Sequence, residues 1–207
     1  MLFRSILKYK RQPCDHIKLR KESKGRIRVI TKHEETTAVN LIRNTQHSKR
    51  RWFYCDVADL VELLVDTGMR LSEALSLANE DVNFSSNLIH IWINKGDRPR
   101  SVPMTKRVAS ILKRRSEGKV INPFSLTTYQ SDKAWAWARE QMGLKDDTEF
   151  IIHALRHTCA SRLVNAGVDL YVVKEWLGHS SIQVTERYAH LSPNKLAHAA
   201  MKLEEIC

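Results

Sequence analysis

Apolar side chains recur every three or four residues through most of this chain, a spacing that predicts helices. The pattern is regular over residues 56–65, where the predicted helix ends at Gly68, and it resumes over about residues 70–78. The other predicted helices cover about 34–44, 105–115, 131–143, 153–167 and 169–178, then a helix from Ser180 that carries Tyr188, and a last one from Ser192. Their predicted N-caps include Thr31, Thr105 and Ser131.

The spacing changes to two between residues 82 and 104. Val82–Phe84, Leu88–Ile93 and Ser101–Met104 are short, partly alternating runs separated by Ser-Ser-Asn and Lys-Gly-Asp turns, which predicts a small three-stranded antiparallel sheet. Pro103 lies at the end of its run, where a missing backbone donor is tolerated. The predicted fold class is therefore mainly α (α+β), a helical domain with one small sheet.

Charge changes this picture because it is unevenly placed. The 207 residues carry a formal net charge of +11, yet residues 1–51 hold 15 of the 34 Lys and Arg and 4 of the 23 Asp and Glu. The remaining three-quarters of the chain is formally neutral. A basic leader on a foldable body indicates a polyanionic partner, nucleic acid first and a membrane surface second, with a merely solvated tail as the alternative on charge alone.

Several classes of protein are excluded by composition. A hydrophobic fraction of 43% is too high for a disordered chain. The apolar runs are a few residues long, against the roughly 20 that span a bilayer, and no segment near Met1 resembles a secretory signal. The four cysteines form no CxxC pair, so neither a zinc knuckle nor a disulfide framework is predicted, and their scatter suits a reducing cytoplasm.

One predicted helix carries side chains that could do chemistry. His153, Arg156 and His157 share one side of it, about 120° from an apolar side with Leu155 and Cys159. Two histidines four residues apart can bind a metal, but the glutamate of HExxH is absent and Arg156 would repel a divalent cation, so no metal site is predicted. Alone, this helix is more typical of a partly exposed surface element.

Arg70 and Glu73 are candidates in the segment Thr67-Gly-Met-Arg-Leu-Ser-Glu. An arginine at a helix start works against the helix dipole, but together with the free backbone N–H groups it could bind a phosphate, and Glu73 could orient it. On the predicted hairpin, Lys95, Arg98 and Arg100 could reach into a nucleic-acid groove. A surface ion pair and a solvated turn are the ordinary alternatives.

His179 and Tyr188 are the remaining candidates. His179 directly follows the glycine that ends a predicted helix, and Tyr188 lies nine residues further on in Arg-Tyr-Ala-His. A single histidine is most often a satisfied polar residue, and a single tyrosine most often packs in a core or interface. Each of these signals is weak by itself.

Their order and spacing, however, are specific. TGMRLSEAL, the hairpin lysine, HALRH, LGHSS and RYAH together resemble the tyrosine recombinase (phage integrase) family, over about residues 27–207. By that resemblance, the family's six catalytic positions are matched by Arg70, Lys95, His153, Arg156, His179 and Tyr188, and a supporting acidic position is matched by Glu73. The family's catalytic domain is helical with a small antiparallel sheet, as the patterning predicts.

The resemblance implies a chemistry without metal, ATP or cofactor. Tyr188 would attack a DNA phosphodiester to form a 3′-phosphotyrosyl link, and Arg70 and Arg156 would hold the non-bridging oxygens. His179 would add a hydrogen bond, Lys95 would protonate the leaving 5′-oxygen, and His153 would position or deprotonate Tyr188. His157 and His190 match no catalytic position, so a structural role is expected for both.

The same resemblance implies partners and domains. The expected substrate is a double-stranded DNA attachment or recombination site, held by a homotetramer whose C-terminal helix packs on a neighbouring subunit, with accessory DNA-bending proteins as further partners. Residues 1–26 are expected to be a basic linker with the remnant of a core-binding domain, since the amphipathic residues 1–12 cannot bury themselves. The expected contacts to the DNA backbone are Lys24, Arg26, Arg50, Arg51, Arg98 and Arg100.

Three other functions stay open. A type IB topoisomerase-like enzyme uses the same tyrosine chemistry, a compact DNA invertase of the fimbrial-switch type would need no preceding domain, and a non-catalytic relative would bind DNA alone. Against the last, all six catalytic positions are occupied. No membrane partner is expected, and the protein should work on a bacterial nucleoid in the cytoplasm, encoded by the cell or a phage.

Overall fold

The computed structural model describes residues 27–45, 51–92, 99–117 and 121–189, together with Met201 and Glu204. Over these residues a helical domain carries one small sheet, which confirms the predicted fold class. The helices are α1 (Lys32–Asn44), α2 (Arg51–Thr67), α3 (Leu71–Ser76), α4 (Lys106–Ser116), α5 (Thr128–Gln141), α6 (His153–Asn165), α7 (Leu170–Leu177) and α8 (Ile182–Glu186). The strands are β1 (Val82–Asn83), β2 (Leu88–Ile91) and β3 (Arg100–Pro103), and Asn79–Asp81 form a short 3₁₀ turn.

Several helix ends follow from their capping residues. At α1 the Thr31 hydroxyl accepts from the Glu34 N–H while the Glu34 carboxylate accepts from the Thr31 N–H, the predicted capping box. Thr105 caps α4 as predicted, and Asp169 caps α7 by accepting from the Tyr171 N–H. Side chains that compete for backbone groups thus fix where these helices begin.

The cap predicted for α5 is wrong. Ser131 lies inside the helix, fully buried, and Thr127 is the N-cap, in a capping box with Gln130. The helix therefore begins one turn earlier than predicted. The spacing Thr127-x-x-Gln130 is itself a capping box, which identifies this start better than a lone serine does.

The sheet is antiparallel with the order β1-β2-β3, as predicted. Ile89 lies at its centre, paired with Val82 on one side and Val102 on the other. Ile89 and Val102 are fully buried, whereas their neighbours His90 and Ser101 face outward. Successive side chains of a strand point to opposite faces, and this alternation determines which residues join the core. Pro103 occupies the last paired position of β3.

Two helices are buried on most of their surface and form the centre of the domain. From Val57 to Val65 nearly every residue of α2 is buried, and α1, α4, α5 and α6 pack around it. Helix α6 packs on α2 and on α7. Because both sides of α6 are covered, Arg156 is buried as well as Leu155, so this helix is not the surface element that its pattern alone suggested.

A smaller apolar cluster joins α6 and α7 to the end of the described chain. It contains Ala160, Val164, Val173, Leu177 and the ring of Tyr188. Tyr188 lies two residues beyond the end of α8, not within a helix as predicted. The predicted helix in residues 1–12, and nearly all of the one from Ser192, lie outside the described residues. Within the described parts, no helix has the length and apolar character that a membrane crossing requires.

Candidate active site

Arg156 occupies the centre of the candidate site, with 3% of its surface exposed. Its two terminal nitrogens donate to the carbonyl oxygens of Gly68 and Leu177, both at 2.7 Å. These contacts tie α6 to the loop before α3 and to the end of α7. Burial and the charge of Arg70 lower the pKa of Arg156 to about 10, which leaves it a cation at neutral pH.

Two glycines let the backbone approach Arg156 this closely. Gly68 has a φ of +66°, and a Cβ there would lie 2.7 Å from the Leu177 side chain. Gly178 has a φ of +69° and ends α7, and a Cβ there would lie 2.8 Å from the Arg100 guanidinium. Both positions need the left-handed conformation and the missing side chain, so the sequences Thr-Gly-Met-Arg and Leu-Gly-His each bend at their glycine.

Arg70 is the N-cap residue of α3, and Glu73 holds it there. The Glu73 carboxylate accepts from the Arg70 backbone N–H at 2.8 Å and from the Arg70 guanidinium at 2.9 Å. Burial alone would raise the pKa of Glu73, but hydrogen bonds from Arg100 and Arg70 lower it to about 2. Glu73 is therefore ionised in the site and orients Arg70, the supporting position that the sequence predicts for it.

Arg100 has a different place from the one expected. It was expected at the DNA backbone, but two of its nitrogens donate to Glu73 at 3.0 and 2.7 Å, and 7% of its side chain is exposed. Its Nε also donates to the Trp176 carbonyl. A guanidinium enclosed by a carboxylate and a carbonyl joins the sheet to α3 and α7, so we correct its role from DNA contact to internal brace.

His179 follows Gly178 directly, and its Nδ1 lies 2.9 Å from the Thr185 hydroxyl. Burial first, then the charges of Arg156 and Arg70, lower the pKa of His179 to about 3. The ring is therefore neutral at pH 7. In the tautomer whose Nδ1 accepts from Thr185, the ring carries its N–H donor at Nε2.

The Tyr188 hydroxyl contacts His157, a residue for which the sequence predicted only a structural role. His157 Nδ1 lies 2.6 Å from the Tyr188 oxygen, and the His153 ring packs edge-on against the His157 ring with 4.8 Å between centroids. His153, expected to position Tyr188, packs against His157, which makes the hydrogen-bond contact with the tyrosine. Both lie on one side of α6, so their spacing was a usable signal for His157 as well.

Protonation states follow from burial and from the surrounding cations. Burial and the charges of His153 and Arg187 lower the pKa of His157 to about 4. Burial, Arg156 and Arg70 also lower the pKa of His153. Burial raises the pKa of the Tyr188 phenol, so the tyrosine is protonated at rest.

Six of the predicted site residues cannot be located in this way. Five of them lie outside the described residues: Lys24, Arg26, Arg50, Lys95 and Arg98. The sixth, Arg51, lies in α2 but its side chain is not described. The described members Arg70, His153, Arg156, His179 and Tyr188 lie near one another. Besides burial, the charges of Arg156 and Arg70 lower the pKa of both His153 and His179, and Arg156 also acts on Tyr188.

The assembled group can bind an anion beside a tyrosine. Arg70 and Arg156 supply fixed positive charge, His179 supplies a neutral donor, and an open cavity of about 440 Å³ reaches His153 and Arg156. Guanidinium groups in fixed geometry suit the oxygens of a phosphodiester. The arrangement can therefore bind a phosphate, although the nearby Tyr188 is buried in this structure.

Known proteins resemble this chain in sequence and in structure. The chain is 30% identical over 169 residues to tyrosine recombinase XerC of Corynebacterium efficiens, an alignment that covers 68% of this chain and 48% of that protein. The catalytic domain of bacteriophage HP1 integrase has a TM-score of 0.66 at 26% identity, covering 85% of this chain and 95% of that one. XerH recombinase bound to its difH substrate, before cleavage, also has a TM-score of 0.66, at 27% identity, covering 83% and 53%.

These alignments cover the larger part of this chain but only about half of each curated relative. The sequence profile described as the Phage integrase family matches residues 28–195, well over half of the chain. This protein therefore belongs to the phage integrase family of tyrosine recombinases, as its motifs predicted.

Proposed function

We propose that this chain is the catalytic part of a site-specific recombinase that cleaves and rejoins DNA through Tyr188. One observation carries the proposal: Arg156 is buried beside Arg70, and its described hydrogen bonds go to carbonyl oxygens rather than to a carboxylate. A buried cation without its own counter-ion favours a bound anion. The recombinases among its relatives, including one solved on its DNA substrate, support DNA as the source of that anion.

The residues divide the reaction between them. The Tyr188 oxygen attacks phosphorus while the bond to the 5′-oxygen breaks, leaving a 3′-phosphotyrosyl link and a free 5′-hydroxyl. Arg70, Arg156 and the His179 N–H stabilise the added charge on the non-bridging oxygens, and Lys95 protonates the leaving oxygen. The covalent link preserves the phosphodiester's energy, so neither a metal nor ATP is required.

Tyr188 must become accessible before it can react. Its residue exposure is 3%, and it follows the five-residue helix α8. A phosphate can contact the hydroxyl only if the groups that cover it move aside while Tyr188 keeps its contact with α6. DNA binding supplies the driving force, since a phosphodiester offsets the charge of Arg156 and Arg70.

The test is covalent trapping on a DNA library. Nicked duplexes with a randomised centre lose a short fragment after cleavage, so the reaction cannot reverse and the adduct accumulates. We expect an SDS-resistant protein–DNA adduct that forms in EDTA without ATP and is absent from Tyr188→Phe. Sequencing the captured duplexes then supplies a defined substrate.

Two controls make the outcome decisive. The released strand should be labelled by polynucleotide kinase without prior phosphatase, because the reaction leaves a 5′-hydroxyl. Tyr171→Phe, a change at a tyrosine that is 67% exposed, should leave trapping unchanged. An adduct that persists in Tyr188→Phe would refute the assigned nucleophile, and relaxation of plasmids without any selected site would favour the topoisomerase alternative.

We also propose a tetramer on DNA, assembled through the segment after Ser192. Its residues Leu196, Ala199, Ala200 and Leu203 recur at helical spacing at a chain end. A chain shortened to end at Leu191 should still bind the selected duplex but should elute with it as a smaller complex in gel filtration. An unchanged elution volume would sink this part of the proposal.

The basic leader is proposed to strap DNA through its phosphates. Lys24, Arg26, Arg50 and Arg51 would add affinity that does not depend on sequence, as would Arg98 on the hairpin. Replacing Lys24 and Arg26 by glutamine should reduce the salt dependence of binding, with the slope of log K against log[salt] falling by about 2. A slope equal to that of the parent chain would place these residues off the DNA.

A further inference from the structure

The contact between His157 and Tyr188 has a geometry that suits proton transfer. The two atoms are 2.6 Å apart, a short distance for a hydrogen bond between a ring nitrogen and a hydroxyl. The tyrosine ring belongs to the apolar cluster of α6 and α7, and His157 lies in the first turns of α6, so both partners are held by the core. The hydroxyl therefore has a fixed partner rather than bulk water.

We infer that His157 is the general base of the reaction, accepting the Tyr188 proton at Nδ1 as the tyrosine attacks; this rests on the proposed function of Tyr188. The O–H bond breaks and its proton moves to Nδ1. The electron pair stays on the phenolic oxygen and forms the bond to phosphorus, while the bond from phosphorus to the 5′-oxygen breaks. On religation the 5′-hydroxyl attacks, and the imidazolium of His157 returns the proton to the departing phenolate.

His157 is better placed for this task than His153, which the motif alone favoured. The ring of His153 packs against His157 and is open to the cavity that also reaches Arg156. It can thus face the phosphate, while His157 faces the nucleophile. Two adjacent histidines on one side of α6 would then serve the two ends of the forming bond.

The charges around His157 make it neutral at rest and more basic on the substrate. The groups that face it are His153 and Arg156 on α6, Arg187 beside Tyr188, and Tyr188 itself. Burial and the nearby positive charge keep the ring of His157 unprotonated in the free protein. A proton acceptor must start in this state. A bound phosphodiester neutralises part of that positive charge, so the affinity of Nδ1 for a proton rises when the substrate arrives.

Cleavage kinetics on the duplex selected by trapping test the inference. Single-turnover cleavage by His157→Gln, which keeps a hydrogen-bond acceptor but takes up no proton, should be slower by about 100-fold. His33→Gln, an exposed change on α1, is the matched control and should react like the parent chain. A 5′-bridging phosphorothiolate, whose thiolate leaves without an acid, should rescue Lys95→Ala but not His157→Gln.

Changing the acidity of the tyrosine nucleophile distinguishes a general base from a residue with a purely structural role. When all five tyrosines are replaced by the more acidic 3-fluorotyrosine, the need for a base falls, so the gap between parent and His157→Gln should shrink by several-fold. An unchanged gap contradicts the inference. So does a His157→Gln chain that cleaves as fast as the parent or faster, the latter showing that His157 only restrains Tyr188.

A measurement on the unmodified chain avoids any folding defect of the variant. Nitrogen-15 NMR of labelled histidines should show His157 protonated at Nε2 and unprotonated at Nδ1, and an Nδ1–H tautomer would overturn the inference. Failure of the proposed function is distinct, because the parent chain would then form no adduct with Tyr188 on any duplex.

Discussion

The domain holds two groups of arginines that differ in how their charge is matched. The first, here called the ion-pair network, lies where α1, α2, α4 and α6 meet. Every carboxylate in it accepts from at least one basic side chain, and Asp59 accepts from three. Its members are Glu35, Asp56, Asp59, Glu62 and Asp66 with Lys32, Arg43, Arg107, Arg114, Arg115 and Arg162.

The second group is the active site, whose described residues include three arginines and one carboxylate. Glu73 accepts from Arg70 and Arg100, while Arg156 donates to the carbonyls of Gly68 and Leu177. Among the described residues, cations outnumber carboxylates three to one in the active site and only six to five in the ion-pair network. Because the body of the chain is formally neutral, we expect its affinity for a phosphate to come from this local excess and not from its net charge.

The largest expected effect comes from a change at Arg156 in the active site. Arg156→Lys keeps the charge but loses the planar fork, so adduct formation on the selected duplex should fall by about 100- to 1,000-fold. Arg114→Lys, the same change at an arginine that is 60% exposed in the ion-pair network, is the matched control and should leave the rate unchanged. Equal losses in both variants would remove the distinction between the two groups.

The next effect concerns Glu73, the buried carboxylate among the described site residues. Glu73→Gln removes a buried carboxylate that accepts from Arg70 and Arg100, so the free energy of unfolding, measured in urea at pH 7, should fall by about 3 kcal/mol. Arg70 also loses its orientation, so cleavage should slow. Asp56→Asn, in the ion-pair network, should cost less because its side chain is more exposed.

The same variant gives a pH dependence with a defined sign. The folded-state pKa of Glu73 is lowered from 4.5 to about 2, so its contribution is complete above the unfolded value and is lost as the pH falls from about 4.5 towards 2. The stability difference between the parent chain and Glu73→Gln should therefore be constant from pH 6 to 8 and shrink between pH 4.5 and 3. A difference that grows on acidification would contradict the assigned pKa.

A smaller effect separates backbone strain from close packing at the site. Gly143 and Gly68 both have positive φ, but a Cβ on Gly143 meets nothing within 4 Å, whereas one on Gly68 would clash with Leu177. Gly143→Ala should cost about 1 kcal/mol in unfolding free energy from φ alone. Gly68→Ala should cost at least 1 kcal/mol more. Equal costs would show that Leu177 yields to the new methyl group.

The smallest effect belongs to the exposed edge of the ion-pair network. Arg114→Ala removes one of three partners of Asp59, and since Arg114 is 60% exposed, the free energy of unfolding should change by less than about 1 kcal/mol. The melting temperature at low and high salt measures it. A loss as large as that of Glu73→Gln would show that ion pairs in the ion-pair network and in the active site contribute alike to stability.

Local sequence signals predicted much of this architecture. Thr31 with Glu34 and the glycines at 68 and 178 mark element ends through contacts within a few residues, so their positions can be inferred without the fold. The order of the motifs likewise predicted the family. Ser131 was misassigned although Thr127 and Gln130 carried the better local pattern.

Features that depend on distant contacts were not predictable in this way. Arg100 appeared to be a hairpin arginine for DNA, because its partner Glu73 lies 27 residues away on another element. His157 appeared structural because it matches none of the family's catalytic positions, and its partner Tyr188 lies 31 residues away. Burial of a polar side chain is set by the packing of whole helices, which spacing along one helix does not report.

The most direct test of the central claim identifies the atom that carries the DNA. Protein trapped on the selected duplex is digested with nuclease and trypsin, and the modified peptide is sequenced by mass spectrometry. We predict a nucleotide linked through its 3′-phosphate to Tyr188, in the parent chain at neutral pH with EDTA present. A nucleotide on another side chain, or trapped protein without any modified peptide, would contradict the account.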